Sequence, residues 1–133
     1  MLFRSIQELS LENVFVKTAE KGISCSQVHG FSLSNAVVNA ESGPGAGFKN
    51  VRELELVRVR GSRVEPNEPV IELDGVQSAV VQSCSTTAER ATLVSLTGRD
   101  NRDITLALNR VSKKGKEVVF AEGASENAIL KRV

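Results

Sequence analysis

With 133 residues and 17 basic against 16 acidic side chains, the chain has the size of one domain and almost no net charge, which argues against binding polyanions through bulk electrostatics. Five Phe, no Trp and no Tyr leave few flat rings for stacking sugars or bases. Two cysteines make no disulfide framework, no stretch approaches the length of a membrane span, and MLFRSIQELSLEN has no apolar leader core, so no signal peptide is expected.

From the N-terminus the chain repeats one plan. Ile6-x-x-Leu9-x-Leu11 is answered by Val28-x-x-Phe31-x-Leu33, Val51-x-x-Leu54-x-Leu56 and Val76-x-x-Ala79-x-Val81. A fifth copy, Ile104-x-Leu106, carries Asn101 where the leading apolar residue belongs. The steps from Leu9 to Phe31, Leu54, Ala79 and Ile104 are 22, 23, 25 and 25 residues. A fixed period in this range marks a repeat architecture. Within each copy apolar and polar residues alternate, which is strand periodicity. Leu9, Leu11, Val14 and Val16 point one way, and Phe31, Leu33, Ala36 and Val38 match them. Asn13 and Asn35 fall at one register, where a corner with a short amide ladder is expected.

A further apolar segment closes each copy: Ile23 and Cys25; Ala46 and Phe48; Val70, Ile71 and Leu73; Leu93, Val94 and Leu96; Val118, Val119 and Phe120. The loops between vary in length, from a compact Lys17–Gly22 to Asn39–Ala46 with its Gly43-Pro44-Gly45 turn signal. Gly61–Pro69 is the most irregular, with two prolines barring regular pairing, and Ser112–Glu117 is basic. After Phe120 the tail starts a sixth turn through Ala128 and Leu130. Three short strands per copy, with no helical pattern, predict an all-β fold: a right-handed single-stranded parallel β-helix of about five turns, one domain over 1–133. Stacked at about 4.8 Å, five turns make a stub roughly 24 Å long. A leucine-rich repeat lacks its N/C-x-L signature and return helix here, and a β-sandwich does not require matched registers. Solenoids need caps, and with only MLFR before the first copy the expectation is a portion of a longer β-helix or ends covered by other subunits.

The cadence KGISCSQVHGFSLSNAVVNAESGPGAGFKNVRELELVRV, Lys21–Val59, resembles the late turns of glycoside hydrolase family 28, the polygalacturonases and rhamnogalacturonases of the pectate-lyase-like superfamily. The cues are the KG-I-x-C-S-x-V-x-G-F-x-L-x-N-x-V pattern, Gly43-Pro44 and the return through Asn50-Val51. The likeness implies a parallel β-helix, action on a pectin-type polysaccharide, and a periplasmic or secreted setting. The family's N-T-D, Asp-Asp, G-H-G and R-I-K elements do not occur, and Val28-His29-Gly30 lacks the first glycine of G-H-G. The function expected is therefore a β-helix scaffold portion of a polysaccharide hydrolase without catalytic residues. The alternative is a non-catalytic carbohydrate-binding or self-assembling structural β-helix. A polysaccharide or oligosaccharide partner, no nucleic acid, no membrane, no cofactor, no metal, and homo-oligomeric contact through the open helix ends complete that expectation.

Reading down the columns, Ser10, Ser32, Glu55, Val80 and Thr105 point outward with a single carboxylate, whereas a glycosidase needs two flanking the scissile bond. The corner before them runs Gln7, His29, Arg52, Gln77, Arg102. His29, Arg52 and Arg102 are the candidate ligand-binding residues, suited to uronate carboxylates through charge-assisted hydrogen bonds; a solvated corner is the plainer reading. Glu72 and Asp74 near Lys49 suggest an ion pair across turns. Cys25 and Cys84 read as buried thiols too far apart to pair. Arg58, Arg60 and Arg63 suggest an anion site, set against interleaved Glu53, Glu55 and Glu65.

Overall fold

The computed structural model describes residues 1–19, 22–61 and 68–133, with only the backbone of 17–19. Most of the Gly61–Pro69 loop, including Arg63 and Glu65, and part of Lys17–Gly22 lie outside the described residues. The described chain is a parallel β-solenoid of about five turns, as the period predicts. One sheet stacks β1 (Leu2–Arg4), β4 (Ile23–Ser26), β6 (Ala46–Lys49), β8 (Pro69–Asp74), β11 (Thr92–Thr97) and β13 (Lys116–Ala121) in that order. The other stacks β2 (Gln7–Glu12), β5 (His29–Ala40), β7 (Arg52–Gly61), β9 (Gln77–Gln82), β12 (Arg102–Ala107) and β14 (Ile129–Arg132). β3 (Phe15–Ala19) joins β5, and β10 (Ser85–Thr86) joins β7. Every pairing among these strands is parallel.

Because alternate side chains of a strand face opposite ways, one register suffices to sort the whole coil. Leu9, Phe31, Leu54, Ala79 and Ile104 are consecutive partners, and Leu11, Leu33, Leu56, Val81 and Leu106 run beside them. Across the core, Phe3, Cys25, Phe48, Leu73, Leu96 and Phe120 form the matching column of the other sheet. Phe31 fits edge-on against Phe48, ring centroids 5.4 Å apart, and lies 6.2 Å from Phe3. Leu33, Leu56, Leu73, Leu96 and Leu106 are all fully buried; each such side chain contributes about 1.5–3 kcal/mol of burial free energy.

The corners are made by backbone in the left-handed region, repeated at equivalent positions. One column is Ser5, Gln27, Asn50 and Gly75; a second is Glu8, Gly30, Glu53, Ser78 and Asp103; a third is Asn13, Asn35, Arg58, Ser83 and Leu108. All have φ between 50° and 81°, a conformation that costs a non-glycine residue about 1–2 kcal/mol. It persists because the ladder continues through the bend. Ser5, Gln27 and Asn50 each donate N–H to the carbonyl of the residue preceding the next corner: Ser26, Lys49 and Asp74, at 3.0, 3.0 and 2.9 Å. At the third corner Asn35 Nδ2 donates to Asn13 Oδ1 at 2.6 Å. That amide ladder stops there, since Arg58 occupies the next rung.

Three features depart from the sequence reading. MLFR is not a bare leader to the first copy: it supplies β1, and Phe3 enters the core column above Cys25. The bends at Asn35 and Arg58 do not divide strands, so β5 and β7 run through them, 12 and 10 residues long. In β14 the register slips one residue after Ile129, pairing Lys131 with Thr105. Leu130 is 68% exposed because Ile129 takes the inward place beside Ile104, so the next side chain faces out, while Ala128, in the short turn before the strand, is buried.

Two asparagines replace aliphatic residues at inward positions of the last turn. Asn101 follows Val28, Val51 and Val76, and accepts from Val76 N–H at 2.8 Å while its amide donates to Leu73 and Thr97 carbonyls at 3.2 and 3.0 Å. Asn109 follows Cys84, accepts from Cys84 N–H at 2.9 Å and donates to the Val81 carbonyl at 3.1 Å. Both substitute side-chain amides for ladder bonds at the turn.

Candidate functional site

The corner column expected from the sequence is assembled in register: Gln7 pairs with His29, His29 with Arg52, Arg52 with Gln77 and Gln77 with Arg102. Each stands one residue before the left-handed corner of Glu8, Gly30, Glu53, Ser78 and Asp103, so its side chain projects from the outer edge of the sheet. Ser5, Gln7, Gln27, His29, Asn50 and Arg52 line an open groove of about 390 Å³. Arg102 lies two turns below Arg52, beyond Gln77, and does not line it.

His29 and Arg102 both have side-chain partners in or beside this column. His29 Nε2 meets Glu53 Oε2 at 3.2 Å, and Arg102 Nη2 donates to Gln77 Oε1 at 3.0 Å. His29 and Glu53 side chains are 55% and 69% exposed, where such a contact is worth well under 1 kcal/mol. Glu8, Glu53 and Asp103 stand beside the basic residues on alternate turns, so the corner is a mixed, solvated ridge. Glu55 is the single carboxylate of its outward column, between Ser32 and Val80.

On the other sheet Lys49 and Asp74 are direct partners and Gly47 pairs with Glu72. The ion pairs among the described residues are His29–Glu53, Lys114–Glu89 and Arg132–Glu117; the pair expected at Lys49 is not one of them. Burial pushes the Glu72 carboxyl above the usual carboxylate range, and the charges of Glu68, Asp74 and Glu122 push it the same way. Among the described residues no three His, Cys, Asp or Glu side chains are grouped to hold a metal. Both cysteines are free and buried. Burial raises the Cys25 thiol to about 12 against a small pull from the N-terminal ammonium. It raises Cys84 to about 11, despite backbone hydrogen bonds around the sulfur. Neither is poised as a nucleophile.

A second site escaped the sequence reading. Phe15, Val37, Arg60, Ser85 and Arg110 form the outward column of the face following the third corner. Small residues at Ser83, Cys84 and Ser85 leave that face indented. Val37, Arg60, Gly61, Ser85, Thr86 and Thr87 line a groove of about 280 Å³. Ser83, Cys84, Ser85, Leu108, Asn109 and Arg110 line one of about 540 Å³ on the other side of Ser85. Arg60 was visible as part of a basic group, but Arg110 was not joined to it. The signal was present, since 60, 85 and 110 are spaced by the 25-residue period of these turns.

No family model and no curated protein matches the chain. Among solved structures, a trypsin-treated form of QnrB1, a plasmid-mediated fluoroquinolone resistance protein, is similar at 10% identity over 95% of this chain and 91% of that one, with a TM-score of 0.24. A likeness at that TM-score bears on neither fold nor function.

Proposed function

We propose that this chain is a non-catalytic length of β-helix scaffold from a pectin-type polysaccharide hydrolase. The continuous registers of β2, β5, β7, β9 and β12 support a scaffold: side chains spaced one strand apart present a rigid outer face for a long polymer, while the aliphatic columns inside hold the spacing. The observation that carries the non-catalytic half is the outward face itself. Glu55 stands alone in its column, and Glu53, next to groove-lining Arg52, is exposed and already paired with His29. Hydrolysis through an acid and a base needs two carboxyls set across a bond. His29 and Arg52, at the groove, and Arg102 below it are the residues that would meet polymer carboxylates. The hydrolase attribution rests on the Lys21–Val59 resemblance, and fold does not establish chemistry.

Incubation of the 133-residue chain with polygalacturonate tests the reading: no new reducing ends are expected, and turnover by this chain alone would overturn it. A second reading, self-assembly, is favoured by the outer edges of β2 and β14, each paired on one side only among the described residues. Glu8 and Glu12 lie on the first edge and Lys131 on the other, beside Arg132, which Glu117 already holds, so the two edges carry opposite charge. Sedimentation would show salt-sensitive dimers on this reading and a single monomeric species if it is wrong.

A further inference from the structure

We propose that the indentation over Ser85, between Arg60 and Arg110, is a seat for a tetrahedral oxyanion, the phosphate or sulfate group of a small ester. Arg60 and Arg110 are the register neighbours of Ser85 on either side, two strand spacings or about 10 Å apart at Cα. An arginine side chain is longer than half that separation, so each guanidinium, lining the groove on its own side of Ser85, can be brought over Ser85 by an oxyanion seated there. Among the described residues neither makes an ion pair or a side-chain hydrogen bond, and the Ser85 and Thr87 hydroxyls are equally unengaged. Thr86 is different: its hydroxyl oxygen already accepts from Ala88 N–H at 3.2 Å.

The backbone beneath is held. Arg110 N–H donates to the Cys84 carbonyl at 2.9 Å, and the Arg110 carbonyl accepts from Thr86 N–H at 3.1 Å. The seat is thus a rigid floor with two cations at its rim that are unpaired among the described residues. Among the described residues Glu117 accepts from Asn109 and from Arg132 at 3.1 and 2.8 Å, and Glu89 lies 3.4 Å from Lys114, so neither acid competes for the seat.

The donor set selects the ligand. The donors at hand are the arginines on either side of Ser85 and the Ser85 and Thr87 hydroxyls. A planar carboxylate saturates one guanidinium with its two oxygens, whereas a phosphate or sulfate ester offers three oxygens and up to two charges. An extended peptide finds no free edge here, because the ladder groups under the groove are spent on one another. No aromatic ring lines either half, so stacked bases have no platform. This seat lies on a different face from the His29 corner and does not depend on the scaffold reading.

The test is titration of the ¹⁵N-labelled chain with inorganic phosphate, sulfate, acetate or chloride at constant ionic strength. The Arg60 and Arg110 Nε–H signals and the Ser85 and Thr87 amides are followed by NMR. Phosphate and sulfate should shift them saturably, and acetate and chloride should not. Arg60→Gln and Arg110→Gln should each weaken binding about tenfold, the scale of one lost charge-assisted contact. Arg4→Gln should leave it unchanged. Ser85→Glu, which keeps both arginines but fills the seat with a carboxylate, should abolish it; circular dichroism establishes that each variant is folded. Inorganic phosphate binding that strengthens as pH rises through its second ionisation, about one unit above the roughly 6 of a phosphate ester, would assign the seat to phosphate esters, and tighter sulfate binding to sulfate esters. Equal shifts with acetate, unchanged binding in the double arginine variant, or no response to either oxyanion would overturn the proposal.

Discussion

The first turn and the third are written in the same pattern and end in different environments. Leu54 is 2% exposed and Leu56 fully buried, while their partners in the stack, Leu9 and Leu11, are only half-buried. The strands, corners and side-chain directions are alike. The difference is that Leu56 has a turn on both sides, whereas β2 is paired with β5 alone among the described residues. In a solenoid, burial is conferred by neighbours, so identical residues carry unequal weight along the axis.

The largest predicted loss sits where turns touch through backbone. A Cβ on Gly22 would stand 1.8 Å from the Gly45 carbonyl oxygen, which cannot rotate away. Gly22→Ala should cost about 4 kcal/mol or prevent folding, read by urea denaturation; a loss below 1 kcal/mol would mean that the turns slide freely. Next comes the comparison itself. Leu56→Ala should cost about 3 kcal/mol and Leu11→Ala about 1 kcal/mol; equal losses would show that the first turn is as enclosed as the third.

Asn101→Leu restores the aliphatic residue that Val28, Val51 and Val76 have at that position. It should nevertheless destabilise by about 2 kcal/mol, because Val76 N–H and two carbonyls lose their partner. Stabilisation would show that these groups find water instead. Leu108→Gly should stabilise, by about 1 kcal/mol: Leu108 holds φ 56° at the corner where Asn13 and Asn35 stand, and is 63% exposed. A loss of stability in thermal melts would show that its side chain packs.

The smallest effect concerns Glu72, on β8 in the interior of the stack. Its folded pKa is raised by burial first and by Glu68, Asp74 and Glu122 after. The carboxyl therefore ionises in the unfolded chain before it does in the folded one. Its penalty is absent below the ordinary carboxylate pKa, grows as pH rises towards the folded pKa, and persists above. Glu72→Gln should raise the melting temperature slightly at pH 7, and the gain should vanish near pH 3; a gain that is independent of pH would assign the effect to packing.

Much of this was legible from residues alone. Leu9, Phe31, Leu54, Ala79 and Ile104 were placed in one column, and Gln7 through Arg102 in another, because inward and outward parity along a strand is a local property with a period of two. Asn13 and Asn35 disclosed a corner for the same reason: matched positions in successive copies must bend together. What sequence could not supply depends on the stack. Asn35 was read as dividing two strands, yet β5 continues through it because its neighbours offer ladder partners on both sides of the bend. Alternation with Ala128 puts Leu130 inside, yet it lies outside because Ile129 takes the place beside inward Ile104, a choice made by packing at the last turn.

The candidate sites divide along the same line. Parity places His29, Arg52 and Arg102 in one column, but not the contacts of His29 with Glu53 and of Arg102 with Gln77, since side-chain contacts between strands depend on rotamers. Arg60 and Arg110 belong to turns 50 residues apart in sequence, and only stacking brings them to the two sides of Ser85. The sequence by itself determined the repeat, the strand parity and the residues each column presents. The tertiary structure decided which copies are enclosed, where the register slips and which charges are left free. Parity is set within a strand, whereas burial and charge pairing are set between strands.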